Sequence, residues 1–285
     1  IALILGLQPA QVRVVPTATG GGFGGKLDLS LQPLVATAAW LLDRPVRCVY
    51  ARSESMASTT KRHPARISAS ASCDADGRMR SFRFHADFIT GAYASWGPTV
   101  ASRVPVHATG PYRVPNVLAE TQALHTTDPP AGAFRGFGVP QAAIAGEALL
   151  DSLAAKAGID ALEFRLLNAL RPGDATATGQ VLGQGAALPQ CLEALRPHWR
   201  EMLAEARATP GLGAGVACMW YGIGNTGMSN PSEMEIALDA DGTITLFSGA
   251  VDIGQGSNTI MLQIAAEALG VAPDAIALVA GDTDR

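Results

Sequence analysis

The sequence predicts an α+β protein. Strand-like runs come in pairs around Asp-Gly turns, helix-like runs follow in blocks, and glycine-rich loops open helices. Residues 1–5 (IALIL) read as the end of an apolar helix running into Gly6, so the chain reads as a segment of something larger. Residues 11–16 (QVRVVP) alternate and are β-branched, which predicts a strand. After a glycine loop at 20–26, Asp28 or Ser30 caps a helix that carries Pro33 in its first turn. That helix runs to about Leu42, where Arg44-Pro45 ends it, and residues 46–50 form another strand. Two strands fill 65–94 around the turn Asp74-Ala75-Asp76-Gly77, and a third spans 117–125. The loop 128–138 leads into a long helix, 141–157, stopped by Gly158. A shorter helix (160–170), a surface excursion (171–190) and a further helix (188–208) follow.

Thr209-Pro210-Gly211 is the expected domain boundary, giving domains 1–208 and 212–285. Beyond it, 213–221 read as a close-packed strand, and 233–238 with 243–248 as a hairpin around Asp241-Gly242. Residues 259–269 read as a helix capped by Ser257 or Asn258 and closed by Gly270, with a last strand at 275–280.

Composition narrows the function. With 48% hydrophobic residues and a net charge of −4, the chain is not disordered. With 21 basic against 25 acidic residues, it has no excess charge to bind nucleic acid by counterion release. The 31 glycines follow no G-X-Y period, so they mark turns and close backbone approaches. The four cysteines are far apart, without a CxxC pair, and read as thiols of a reducing, cytoplasmic compartment. The five histidines lack zinc spacing. No apolar run approaches the ~20 residues of a membrane span.

Three loops have the composition to hold an anionic ligand at a helix N-terminus. The first is Gly20-Gly21-Gly22-Phe23-Gly24-Gly25-Lys26. It matches the dinucleotide fingerprint and the phosphate loop only in part: Arg52 stands where an acid is expected after the next strand, and Leu27 where a magnesium-binding hydroxyl is needed. The second runs from Gly132 to Gln141 and sets Arg135 and Phe137 between glycines. The third, Asp252-Ile253-Gly254-Gln255-Gly256-Ser257, carries an amide that both donates and accepts. Each also has a plain reading: a glycine turn packed on a strand, an aromatic staple, and ordinary helix capping. Together they suggest one large phosphorylated ligand gripped from several sides.

The first loop, the run Ala133-Phe134-Arg135-Gly136-Phe137-Gly138-x-Pro140-Gln141 and Gly254-Gln255-Gly256-x-x-Thr259 occur in this order at similar intervals in one family. The sequence resembles, over essentially its whole length, the molybdenum-binding subunit of the xanthine dehydrogenase / aldehyde oxidase family. The resemblance implies two tandem molybdopterin-binding regions of α+β type, with mixed sheets and packed helices, the second incomplete. It implies that Gly22, Phe23 and Gly24 lie beside the molybdenum oxo group and pterin, and that Arg135 lies in a cofactor loop. It implies that Gly254, Gln255 and Gly256 contact the pterin dithiolene and phosphate. Phe137 resembles the aromatic that packs on a flat substrate. Arg103 resembles the arginine with which purine-oxidising members stabilise charge on the heterocycle; its plain reading is a surface arginine paired with an acid. Leu27 departs from the glutamate usual in purine oxidisers, residues 128–133 lack the cysteine of carbon monoxide dehydrogenases, and the family's catalytic glutamate would follow Arg285.

The implied activity is hydroxylation of an electron-poor carbon of an N-heterocycle (purine- or nicotinate-like) or an aldehyde, using water. The implied cofactor is molybdenum–molybdopterin in mono- or dinucleotide form. Electrons would pass to iron–sulfur clusters and FAD on partner subunits or domains, making a hetero-oligomer in which the isolated segment is inactive. The competing expectations are a non-catalytic binding scaffold of the same family and a nucleotide-binding oxidoreductase built on residues 20–26.

Overall fold

A computed structural model of the chain describes residues 1–224, 229 and 231–284. Packing gathers the chain into two units, residues 1–59 with 227–285, and residues 60–226. This grouping cuts the chain elsewhere than the sequence boundary at 209–211.

The first unit begins with a one-turn helix, α1 (Ala2–Leu5), closed by Gly6 in the left-handed region, as its sequence predicts. Residues 11–16 are extended but form no ladder strand; Val14 instead bonds Thr283 through its amide and its carbonyl. Helix α2 (Gln32–Leu42) follows with Pro33 in its first turn, but its N-cap is Leu31 without a side-chain cap, not Asp28 or Ser30. Residues 46–50 are also outside any strand, and a helix absent from the sequence reading, α3 (Arg52–Ser58), comes next. Its start is marked by Glu54, which accepts the Ala51 amide at 2.6 Å.

In the second unit, β1 (Ala65–Cys73) pairs antiparallel with β2 (Met79–Gly91) around the predicted turn. The Asp74 carboxylate accepts the amides of Asp76 and Arg78, and Gly77 takes the positive φ. Helix α4 (Gly97–His107) then crosses to β3 (Asn116–His125), which runs parallel to β2. The period-two face Phe82, Phe84, Ala86 and Phe88 is buried against Val100, Ala101 and Val104 of α4. Sequence reading misses α4 because it holds Pro98 and Pro105. Pro105 has no N–H for the carbonyl of Ala101; the Thr121 hydroxyl of β3 donates to that carbonyl instead, at 2.7 Å.

Helices α5 (Val139–Ala157), α6 (Ala161–Asn168) and α7 (Leu188–Ala208) complete this unit. Asp160 caps α6 and also accepts the Trp199 indole of α7 at 3.0 Å. Gly138, the N-cap of α5, has φ +91, and a Cβ there would stand 2.6 Å from Val104 and 3.1 Å from the Val100 carbonyl. Glu147 of α5 sits at the middle of the packing. It accepts the guanidinium of Arg165 at 2.8 Å, the hydroxyl of Tyr112 at 2.8 Å and the amide of Cys218 at 3.1 Å. Residues 213–221 are extended without forming a strand.

The first unit resumes with the hairpin β4 (Met234–Leu238) and β5 (Ile244–Ser248). Helix α8 (Ser257–Leu269) then leads to β6 (Ile276–Ala280), parallel to β5. The two sheets therefore share one plan, a hairpin followed by a strand–helix–strand crossover. The class is α+β as expected, although each sheet contains one parallel pair that the block-wise reading leaves out. Among the described residues no helix is long and apolar enough to cross a membrane.

Two stability measurements check this packing. Glu147→Leu leaves Arg165, which is 0% exposed, without its main anion. Denaturant unfolding should show a loss of roughly 3–5 kcal/mol, and less for Glu147→Gln. Gly138→Ala forces a strained φ and a clash with α4, and should cost about 2–4 kcal/mol in the same assay. A wild-type midpoint in either the Leu or the Ala variant would contradict the corresponding contact.

Candidate functional site

The first and third glycine loops lie in the same unit. In the first, Phe23 (φ +53) and Gly24 (φ +88) form the centre of a β-turn closed by the Gly25 amide on the Gly22 carbonyl at 2.9 Å. Two successive positive φ angles are the signature of a type I′ turn, which glycine adopts freely and phenylalanine does not. Phe23 is 57% exposed. Lys26 folds back to donate to the Gly21 carbonyl at 2.6 Å. A Cβ on Gly22 would come 2.9 Å from the terminal Cδ1 of Ile253 in the third loop, so the two loops pack closely there and a larger residue would require the Ile253 side chain to move.

The third loop is tied by its own side chains. The Asp252 carboxylate accepts the amides of Gly254 (2.8 Å), Asn258 (3.2 Å) and Gly256 (3.4 Å). Those amides hold its pKa below the usual carboxylate range, Gly254 most of all. Gly256 is the residue at the N-cap of α8, and the side chain that covers the helix start is Asp252, in place of Ser257 or Asn258. Gln255 accepts the Ile253 amide at 2.7 Å and donates to the Val251 carbonyl and the Ser257 hydroxyl. A groove of about 370 Å³ is lined by Thr17 and Thr19 on one side and by Asp252, Gly254 and Asn258 on the other.

The second loop lies in the other unit. Residues 60–63 and Thr90 brace its start: the Gly132 amide donates to the Lys61 carbonyl, and the Ala131 amide to that of Thr90. Gln141 donates to the carbonyl of His63, whose buried imidazole has its pKa lowered to about 4 by desolvation. Arg62 lies 4.7 Å over the Phe134 ring and donates to the Arg135 carbonyl at 2.6 Å. The Arg135 side chain itself is exposed. Gly136, Phe137 and Gly138 all have positive φ, and the Val139 amide closes a second type I′ turn on the Gly136 carbonyl. Phe137 is partly buried and meets Trp96 edge-on at 6.2 Å.

Arg103 is neither on the surface nor paired with an acid. It is 5% exposed on α4, with no carboxylate partner among the described residues. Its guanidinium donates to the carbonyls of Gly224 (2.7 Å) and Gly222 (2.5 Å) and lies 4.3 Å over the Tyr221 ring. Its Nε has no hydrogen-bond partner among the described residues. His107, one turn further along α4, bonds the Arg103 carbonyl through Nδ1 at 3.0 Å and accepts the Gly222 amide at Nε2, 3.1 Å. Burial, with the Arg103 charge beside it, lowers the His107 pKa. Sequence reading misses His107, Tyr221 and Asp252. The i,i+4 spacing of Arg103 and His107 carries a signal only once α4 is known to be a helix.

These features fit a polar ligand at the groove between residues 16–19 and the third loop, where Gly254 keeps the backbone close and the hydroxyls of Thr17 and Thr19 and the amide of Asn258 offer both donors and acceptors. None of the described residues lining that groove is cationic, so a phosphate charge is not matched there. Among the described residues no three His, Cys, Asp or Glu side chains gather to ligate a metal.

The family model of the molybdopterin cofactor-binding domain matches residues 1–169, and a second model of the same description matches 190–285. The nicotinate dehydrogenase large molybdopterin subunit of Eubacterium barkeri is 43% identical over 203 residues, 71% of this chain and 48% of that protein. The xanthine dehydrogenase molybdenum-binding subunit of Escherichia coli is 36% identical over 286 residues, 96% of this chain and 37% of that protein. Among solved structures, the aldehyde oxidoreductase of Desulfovibrio gigas superposes with a TM-score of 0.83 at 30% identity, covering 98% of this chain and 31% of that one. The chain thus spans half or less of the length of the relatives it matches. It belongs to the xanthine dehydrogenase / aldehyde oxidoreductase family and carries two tandem molybdopterin cofactor-binding domains.

Proposed function

We propose that this chain is the cofactor-gripping part of a molybdenum hydroxylase acting on an electron-poor carbon of an N-heterocycle or an aldehyde. The observation that carries this reading is the pair of strained Gly-Phe-Gly turns, at 22–24 and 136–138, in a chain of this family. Family domains here take the division 1–208 and 212–285. Gly22, Phe23 and Gly24 of the first loop, with Gly254, Gln255 and Gly256 of the third, hold the pterin; of these, Gly254 lines the groove itself. Arg135, exposed at the second loop, offers a cation suited to a cofactor phosphate.

When bound, the molybdenum cofactor supplies the two-electron redox chemistry of the hydroxylation, with water as the oxygen source. The chain's own residues bind and orient. Phe137, held by its turn and by Trp96, offers a fixed aromatic surface for stacking a flat substrate. Arg103 acts through its field: a permanent cation in a low-dielectric setting, with no carboxylate partner among the described residues, offsets negative charge that develops on the substrate ring. The nicotinate dehydrogenase relative and the Arg103–Phe137 combination favour a nicotinate- or purine-like ring; Leu27 disfavours a xanthine pose.

Electrons leave through partners. The four cysteines, at 48, 73, 191 and 218, are too dispersed in sequence to form an iron–sulfur motif, so iron–sulfur and FAD subunits or domains complete a cytoplasmic hetero-oligomer.

Two experiments test this. The complete co-expressed complex should contain molybdenum and pterin in near-stoichiometric amounts, and Gly24→Val, which crowds a backbone at φ +88, should lose both. Absence of molybdenum from the wild-type complex defeats the function, and normal content in the variant defeats the assigned contact. The 285-residue chain alone should show no substrate turnover in a dye-linked assay, because its electron outlet lies elsewhere; turnover would contradict that.

A further inference from the structure

We propose that His107 is the positioning residue for Arg103, working as a neutral imidazole with its proton on Nδ1. The argument needs only the direction of two hydrogen bonds. The Arg103 carbonyl can only accept, so Nδ1 at 3.0 Å must carry the proton. The Gly222 amide can only donate, so Nε2 at 3.1 Å must be bare. One protonation state satisfies both bonds.

That state clamps the 220–224 segment onto α4. The same Gly222 whose amide reaches His107 turns its carbonyl to the Arg103 guanidinium, and Gly224 adds a second carbonyl. The rings of Trp220 and Tyr221 close on the imidazole at 5.3 and 5.7 Å. His107 thereby places the acceptors that fix the orientation of Arg103 and leave its Nε unshared. A carboxylate in the same role would neutralise the guanidinium; an imidazole orients it and keeps its charge. The functional consequence, an aimed cation facing substrate, rests on the reading of Arg103 above; the clamp itself does not.

The test uses the full 285-residue chain, labelled with ¹⁵N at histidine, arginine and glycine. At neutral pH two histidines face backbone carbonyls through Nδ1, His107 and His125; the Nδ1–H tautomer signal of His107 is the one that should vanish in His107→Gln, while that of His125 persists. The Nη resonances of Arg103, slowed by its two carbonyl bonds, should average in His107→Phe and persist in His107→Gln, whose amide can both donate and accept. The Gly222 amide should exchange with solvent about tenfold faster in the Phe variant, the effect of losing one hydrogen bond. Arg165, bonded to Glu147, is the internal reference for an intact fold. An Nε2–H or protonated His107 in the wild-type protein overturns the proposal without any variant. So does unchanged Arg103 averaging and Gly222 exchange in a folded Phe variant. Cofactor content, which decides the proposed function, is not read in this experiment, so either reading can fail alone.

Discussion

The second unit is organised around one buried anion. Glu147 takes hydrogen bonds from α6 through Arg165, from the approach to β3 through Tyr112, and from the extended 213–221 segment through Cys218. Removing a carboxylate and a guanidinium from water is costly, and the pair alone does not guarantee net stability. Here the remaining lone pairs and protons are used: Arg165 also reaches Asp151 at 2.8 Å and the Ala161 carbonyl at 3.0 Å. Burial opposes its charge, but Glu147, Tyr112 and Asp151 together outweigh that and raise its pKa. Burial, together with the same carboxylate, pushes the Tyr112 hydroxyl far up, so it remains a donor. The directional consequence matters most. By seating the Cys218 amide, Glu147 sets where the chain arrives at Trp220, Tyr221 and Gly222, and so where α4 meets the acceptors for Arg103.

A second constraint is local and occurs twice. In both Gly-Phe-Gly turns the phenylalanine sits in the left-handed region, at a cost of roughly 1–3 kcal/mol each. Neither turn is needed merely to reverse the chain, since glycine at the central position would do so without strain. What phenylalanine adds is a ring fixed by backbone geometry. At Phe23 that ring is mostly exposed; at Phe137 it is braced by Trp96. Two of the four described non-glycine residues with positive φ are these phenylalanines, the others being Asp43 and Ser95, and strain held in a loop of a cofactor-binding family is the pattern expected where a binding surface is pre-organised.

Much of this was legible in the residue order, for identifiable reasons. The hairpins around Asp74–Gly77 and Asp241-Gly242 were legible because turn chemistry is local. Helices α5 and α8 were legible because Gly158 and Gly270 close them with positive φ. Residues 11–16 and 46–50 have strand-like alternation yet lack a ladder, because pairing depends on partners that a local pattern does not specify. Helix α4 was hidden by Pro105, whose defect is repaired from β3 by Thr121, distant in sequence. The three glycine loops could be found by composition. Their bracing could not: Gln255 looks like a ligand contact in sequence, while in the fold it and Asp252, which the sequence does not single out, spend hydrogen bonds on their own loop.

Arg103 shows how far a residue's type underdetermines its role. A buried arginine normally recruits a carboxylate, and Arg165 does so further along the same chain. Arg103 is covered by backbone carbonyls, an aromatic face and a neutral imidazole instead. Carbonyl dipoles satisfy donors but carry no net charge, so the long-range field of the cation survives where an ion pair would extinguish it. Field strength between charges grows as the local dielectric falls, so the same burial that makes such an arrangement costly also makes its field effective. The contrast between Arg165 and Arg103 therefore lies in their partners among the described residues: Arg165, paired with Glu147, ties α6 to α5, and Arg103, covered by carbonyls and a ring, ties α4 to the 221–224 segment without an ion pair.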